Sequence, residues 1–217
     1  MSLTLVGANA VIVAQQFNPS IISQLWLVRN GLMLEDDFRS GCVFSDMVAH
    51  VHARQFKMLV VPEQCQFSPA VVRDDEQELV VDKVGTIARS LPHTPFRAIG
   101  LNFVWHLHPE GHDAQAISRE LFFVNDRPLY QEFAAEDARF GAYMSKDALG
   151  GRLKLDVKPL TVQQEGQDEE RIQFAFNLHR DVGHLEDPVA SIEETLHRWS
   201  EARDESARIV HLTEREG

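Results

Sequence analysis

Between Phe96 and His108 the chain alternates with period two. Ile99, Leu101, Phe103, Trp105 and Leu107 fall on one side, and Asn102, Val104, His106 and His108 on the other. A helix cannot gather residues at that spacing onto one face, whereas a strand does so automatically. An apolar side this complete must be covered, while the mixed side need not be, which describes a strand of an antiparallel sheet with its core on one face.

The same pattern recurs along the chain. Residues 3–17 alternate and are rich in Val and Ala. Residues 43–54 and 56–67 read as two strands joined near Gln55, and 138–145 and 152–162 as two more with Gly150-Gly151 between them. Residues 171–179 form a late strand, reached through a polar loop over 165–170. Helical spacing replaces alternation elsewhere. Asn18-Pro19-Ser20 opens a helix carrying Ile21, Leu25, Trp26 and Val28, with Gly31 near its end. Residues 79–91 form a helix stopped by Pro92, and 114–124 form another. A long terminal helix starts at Asp187-Pro188, an N-cap followed by proline at the first helical position. Its apolar stripe runs through Val189, Ile192, Leu196, Trp199, Ala202 and Ile209.

The element order is written twice. Val6-Gly7-Ala8-Asn9-Ala10-Val11 matches Ile99-Gly100-Leu101-Asn102-Phe103-Val104 at an offset of 93, and Ile21, Leu25, Trp26 and Val28 match Ile117, Leu121, Phe122 and Val124 at 96. Phe44 with Phe140, Leu59 with Leu155 and Val61 with Val157 keep the second offset. A duplication explains the shared order better than chance agreement of apolar residues. The expected fold is therefore α+β: units 1–92 (β-α-β-β-α) and 93–217 (β-α-β-β-β-α) sharing one curved antiparallel sheet with helices on one face. In element order alone this layout resembles the tandem saddle of TATA-binding-protein-like folds.

Composition then limits what such a saddle does. Acids outnumber bases 33 to 21, for a net charge of −12. Nucleic acid and anionic membranes both demand a basic surface, so neither is an expected partner. No apolar run reaches the roughly 20 residues that span a bilayer, and the N-terminus lacks a basic leader. Two cysteines, Cys42 and Cys65, are no disulfide framework, and a cytoplasmic location is expected. There is no phosphate loop, dinucleotide fingerprint or nucleophile elbow, and no cofactor is expected. The acidic triplets beginning at Glu35, Asp74 and Asp168 fall in loops, where they serve solubility.

Face assignment singles out one constellation. In the first strand Val6, Ala8, Ala10 and Ile12 take the core side and leave Asn9 opposite. In 43–54, Met47, Ala49, Val51 and Ala53 share the core side, with Phe44, Asp46, Val48, His50, His52 and Arg54 opposite. In the late strand Ile172, Phe174, Phe176 and Leu178 face the core, with Gln173, Asn177 and His179 opposite. The face away from the helices thus carries Asn9, His50, His52, Asn102, His106, His108, Asn177 and His179, including five of the ten histidines. Three readings compete. The face binds a small ligand, a protein partner or a second copy. Alternatively the pairs His50/His52 and His106/His108 meet on adjacent strands and hold a metal ion, with His112 and Asp113 adding ligands, in a metal-dependent enzyme or metalloprotein. Or the face is a plain solvated surface. The first reading is preferred: a non-enzymatic binding or assembly module of unknown partner that works through its open sheet face, with a protein partner or self-association expected.

Overall fold

The computed structural model describes residues 2–70, 76–109, 113–124, 126–164 and 166–213. Over these residues the fold is α+β, built on one antiparallel sheet of nine strands. In chain order these are β1 (Ser2–Ala14), β2 (Val43–Phe44), β3 (Ala49–His52), β4 (Phe56–Val61), β5 (Gln64–Pro69), β6 (Phe96–His108), β7 (Ala142–Ala148), β8 (Gly151–Gln164) and β9 (Gln167–Asp181). The helices are α1 (Gln24–Arg29), α2 (Glu76–Ser90), α3 (Ala114–Phe122), α4 (Pro128–Gln131), α5 (Pro188–Leu196) and α6 (Trp199–His211). Across the sheet the strands run β2-β3-β4-β5-β1-β6-β9-β8-β7. The two long strands β1 and β6 pair in the middle and join the two halves of the chain into one sheet.

Alternate residues of every long strand enter one core. Ala10, Ile12, Val51, Met58, Phe67, Leu101, Phe103, Leu155, Phe174 and Leu178 are all buried on the same side of the sheet. Helices close that side. The Trp199 ring of α6 meets Phe103 edge-on with centroids 4.9 Å apart, and Trp105 Nε1 donates to Ser206 Oγ at 2.8 Å. Helix α2 packs beside α5, and Ile192, Leu196, Trp199, Ala202 and Val210 continue the terminal apolar stripe into the core. Burying each of the Ile, Leu and Val side chains among these contributes about 1.5–3 kcal/mol before its entropy cost.

Several expectations need correction. Val6 is 49% exposed, because β1 carries a bulge between Leu5 and Gly7 in its pairing with β6. The extra residue flips the phase of everything before it, so Leu5 pairs with Trp105 and Leu3 with Leu107, and these two pack on the core instead. The 43–54 segment is two strands. Ser45 bonds back to Val48 through both backbone and side chain, and this turn resets the alternation. Phe44 consequently pairs with Ala49 and lies on the core side, while Met47 is exposed.

The helix expected after Asn18 starts with a short turn at Pro19–Ile21; the α-helix proper begins after Ser23, whose side chain accepts from Trp26 N at 3.2 Å. The terminal helix breaks at His197–Arg198, within a turn of Thr195, whose Oγ1 bonds back to the Ser191 carbonyl at 2.8 Å, a contact that bends helices. The β7–β8 turn uses Leu149 (φ 52) and Gly150 (φ 74), both left-handed as a tight hairpin requires, and leaves Gly151 inside β8. Strand β9 begins at Gln167, so the polar loop expected over 165–170 is mostly strand.

Candidate functional site

The open face is assembled from the residues that alternate with the core. Its centre is a row of three asparagines on three neighbouring strands. Asn9 on β1 pairs with Asn102 on β6, and Asn102 pairs with Asn177 on β9. Their side chains form a directed chain: Asn177 Nδ2 donates to Asn102 Oδ1 at 2.6 Å, and Asn102 Nδ2 donates to Asn9 Oδ1 at 2.9 Å. All three are half-buried. The row therefore ends in an amide donor at Asn9 and an amide acceptor at Asn177. Lys154 on β8 stands opposite Asn177 and extends the polar row.

Half-buried aliphatic residues flank this row. On one side Val11 pairs with Gln66 and with Gly100; on the other Val104 pairs with Gly7 and with Ala175. Gly100 has a packing reason to lack a side chain. A Cβ there would come within 2.8 Å of Asn177 Nδ2, the atom that bonds Asn102. An isolated glycine inside a strand is itself a sequence sign of such close approach.

The histidines divide into separate groups. His50 and His52 lie on β3, and His106 and His108 lie on β6, with β4, β5 and β1 between them. At the usual strand spacing that is a separation of about 19 Å across the sheet. The two pairs do not meet on adjacent strands. The expectation failed because alternation fixes faces but not strand order. His112 lies outside the described residues, and Asp113 caps α3 by accepting from Gln115 N at 2.8 Å. Among the described residues no three His, Cys, Asp or Glu side chains converge as a metal would require.

Each histidine has its own surroundings. His50 and His52 face each other, with Nε2 to Nε2 at 3.0 Å and ring centroids 4.3 Å apart. His106 pairs with Gln173; burial holds its imidazole below the ordinary value, the Gln173 hydrogen bond opposes that, and the Arg171 charge reinforces it. His108 ends β6 opposite Ser2. His179 contacts Asp181 Oδ1 through Nε2 at 3.2 Å.

A cavity of about 730 Å³ lies elsewhere, at the end of the sheet, between Phe17–Pro19, Pro62 and the Pro92–Pro95 turn. None of the candidate residues lines it. Among the described residues no helix is long and apolar enough to cross a membrane. No family model, curated protein or solved structure matches the chain.

Proposed function

We propose that the chain is a non-enzymatic binding or assembly module that works through its open sheet face, with a second copy or another protein as the partner. The observation that carries this reading is the Asn9–Asn102–Asn177 row. Asparagine is among the poorest strand formers, yet here three occupy one row at the middle of the sheet. Local rules are broken in this way where function requires it. The amides saturate one another in one direction and present the remaining donors and acceptors along a strip bordered by Val11, Val104 and Ala175. Such a strip suits an apposed surface that is part apolar and part amide. It carries few acids for a protein of net charge −12.

The duplication of units 1–92 and 93–217 belongs to the same proposal. Asn9 pairs directly with Asn102, 93 residues away, which is the offset of the matching strand sequences. In each half the last strand returns beside the first, β5 to β1 and β9 to β6. The match does not extend to every pair of residues. Leu155 and Val157 are buried in the core, whereas Leu59 and Val61 alternate with the buried Met58 and Val60 and face the other way.

The test is Asn102→Val together with Val104→Glu, followed by sedimentation equilibrium from low to high micromolar concentration. The wild type is expected to self-associate. Val104→Glu should abolish association with the fold intact. Asn102→Val should weaken association while leaving the protein folded, valine's better strand propensity offsetting part of the two lost amide hydrogen bonds. A wild type that stays monomeric throughout, or variants that associate as it does, would overturn the self-association reading.

A further inference from the structure

We infer that His50 and His52 form a two-nitrogen chelating site for a divalent transition-metal ion that favours right-angle ligation, copper(II) foremost. The inference is independent of the binding role of the central amide strip, from which β3 is separated by β4 and β5.

The geometry rests on three features. First, both side chains leave β3 on the same face, two residues apart, and their Nε2 atoms converge to 3.0 Å. Two imidazole nitrogens, each about 2.0–2.1 Å from a shared ion and at right angles to one another, lie about 2.9 Å apart; a tetrahedral angle would spread them to about 3.3 Å. In the ion-free protein this 3.0 Å contact is a hydrogen bond between the two rings. An ion that displaces its proton at nearly the same separation is held at right angles, the preference of Cu(II) and Ni(II), and copper binds nitrogen sites more tightly than its neighbours in the first transition row. Second, the lateral neighbours do not compete for the ring nitrogens of His50. Val43 and Leu59 stand opposite it on the two flanking strands, and neither has a polar side chain. The neighbour of His52 is Lys57, whose exposed, flexible stem lets the ammonium turn to solvent. Third, the strand is held firmly at this point. Ala49, Val51 and Ala53 anchor its other face in the core, and His52 N donates to Cys42 Sγ at 3.2 Å. A pair on a fixed strand sacrifices little side-chain freedom on binding, which is the advantage of a preorganised chelate.

The absence of any third converging ligand among the described residues makes this a site of two protein nitrogens, completed by solvent or by a donor on a partner. It is therefore a binding or docking site for an ion, not a closed structural centre.

The experiment titrates the full-length, untagged protein with copper(II) alone and reads continuous-wave and pulsed electron paramagnetic resonance. One equivalent should give an axial spectrum whose pulsed modulation counts two imidazoles. His50→Gln and His52→Gln should each weaken binding by about tenfold or more, as chelation falls to a single ligand, while His106→Gln leaves it unchanged. Circular dichroism melts of each variant report folding, and the imidazole count on the wild type tests the site without any substitution. A count of one or none, unchanged affinity in both strand variants (an adventitious ion only), or no binding at micromolar copper would overturn the inference. None of these outcomes bears on the Val104→Glu association test, so the two proposals fail separately.

Discussion

The indole nitrogen of Trp199 donates to Glu76 Oε1 at 2.8 Å, with both side chains almost completely buried. This bond ties the first residue of α2 to the first of α6 across 123 positions of chain. Arg203 Nη1 approaches the same oxygen at 3.3 Å, and Gln77 Oε1 accepts from Ser200 N at 2.9 Å. The second carboxylate oxygen, Oε2, is buried without a hydrogen-bond partner. A buried carboxylate is costly in isolation, so this one depends on its two donors.

Removing it should be worse than neutralising it. Glu76→Ala strands the indole N–H in the core and opens a cavity, for an expected loss of about 2–4 kcal/mol. Glu76→Gln keeps an acceptor for Trp199 and loses only the charge partner of Arg203, which reaches solvent. Its loss should be smaller than that of the alanine variant by at least about 1 kcal/mol. Urea unfolding of the three proteins decides this, and equal losses would show that the contact does not hold the helices.

Gly100→Ala tests the asparagine row. Alanine in a strand interior gains about 0.5–1 kcal/mol over glycine. Against that, its Cβ meets Asn177 Nδ2 at 2.8 Å and displaces the hydrogen bond to Asn102, worth about 1 kcal/mol. The two effects nearly cancel in the wild type. In an Asn177→Ala background only the gain remains, so the substitution should stabilise. A double-mutant cycle should return a coupling of about 1 kcal/mol; a coupling near zero would show that Gly100 does not make room for Asn177.

The core of β6 and β9 was legible in the sequence because strict alternation leaves only one way to bury Ile99 to Leu107 and Ile172 to Leu178. The open-face positions of Asn9, Asn102, Asn177 and the histidines followed from the same rule. Two kinds of information were not there to read. Local phase is lost wherever the backbone inserts a residue or a turn, as at Val6 and over Ser45–Val48, because hydrophobicity alone does not reveal a bulge. Strand order is set by which edges find each other in space. That is why the asparagines proved to be neighbours while His52 and His106 lie far apart. The Glu76–Trp199 contact was equally invisible: a glutamate at a helix start reads as solvated until the partner helix is placed over it.

The two thiols should behave oppositely. Cys65 lies in the core at 1% exposure, and burial pushes its pKa up to about 12. Cys42 is half-buried near the sheet edge, with Arg39 O 3.3 Å from its sulfur. Reactivity requires an accessible thiolate. Native protein should therefore release one equivalent of thionitrobenzoate from Ellman's reagent, and the denatured chain two. Cys42→Ser should leave the native protein unreactive. Two rapid equivalents under native conditions would place Cys65 outside the core.

Glu205 joins the terminal helix to the edge strand. Its carboxylate accepts from Arg208 Nε at 2.7 Å and from Lys146 Nζ at 2.7 Å, and these hydrogen bonds lower its pKa to about 2. The side chain is partly exposed, so the pairs are screened and are worth about 0.5–1 kcal/mol at most. The folded state holds this group below the ordinary carboxylate value near 4.3. Its contribution is therefore complete above that value and is lost as pH falls from about 4 toward 2, where the native carboxylate also takes up its proton. Glu205→Gln should accordingly lower stability by that amount at pH 7 and make no difference near pH 2. It should also reduce the slope of stability against pH in the interval between. Urea unfolding of both proteins at pH 7, 5, 4 and 3 measures the difference. A gap that stays constant or widens as the solution is acidified would mean that the substitution acts through packing and not through the charge of Glu205.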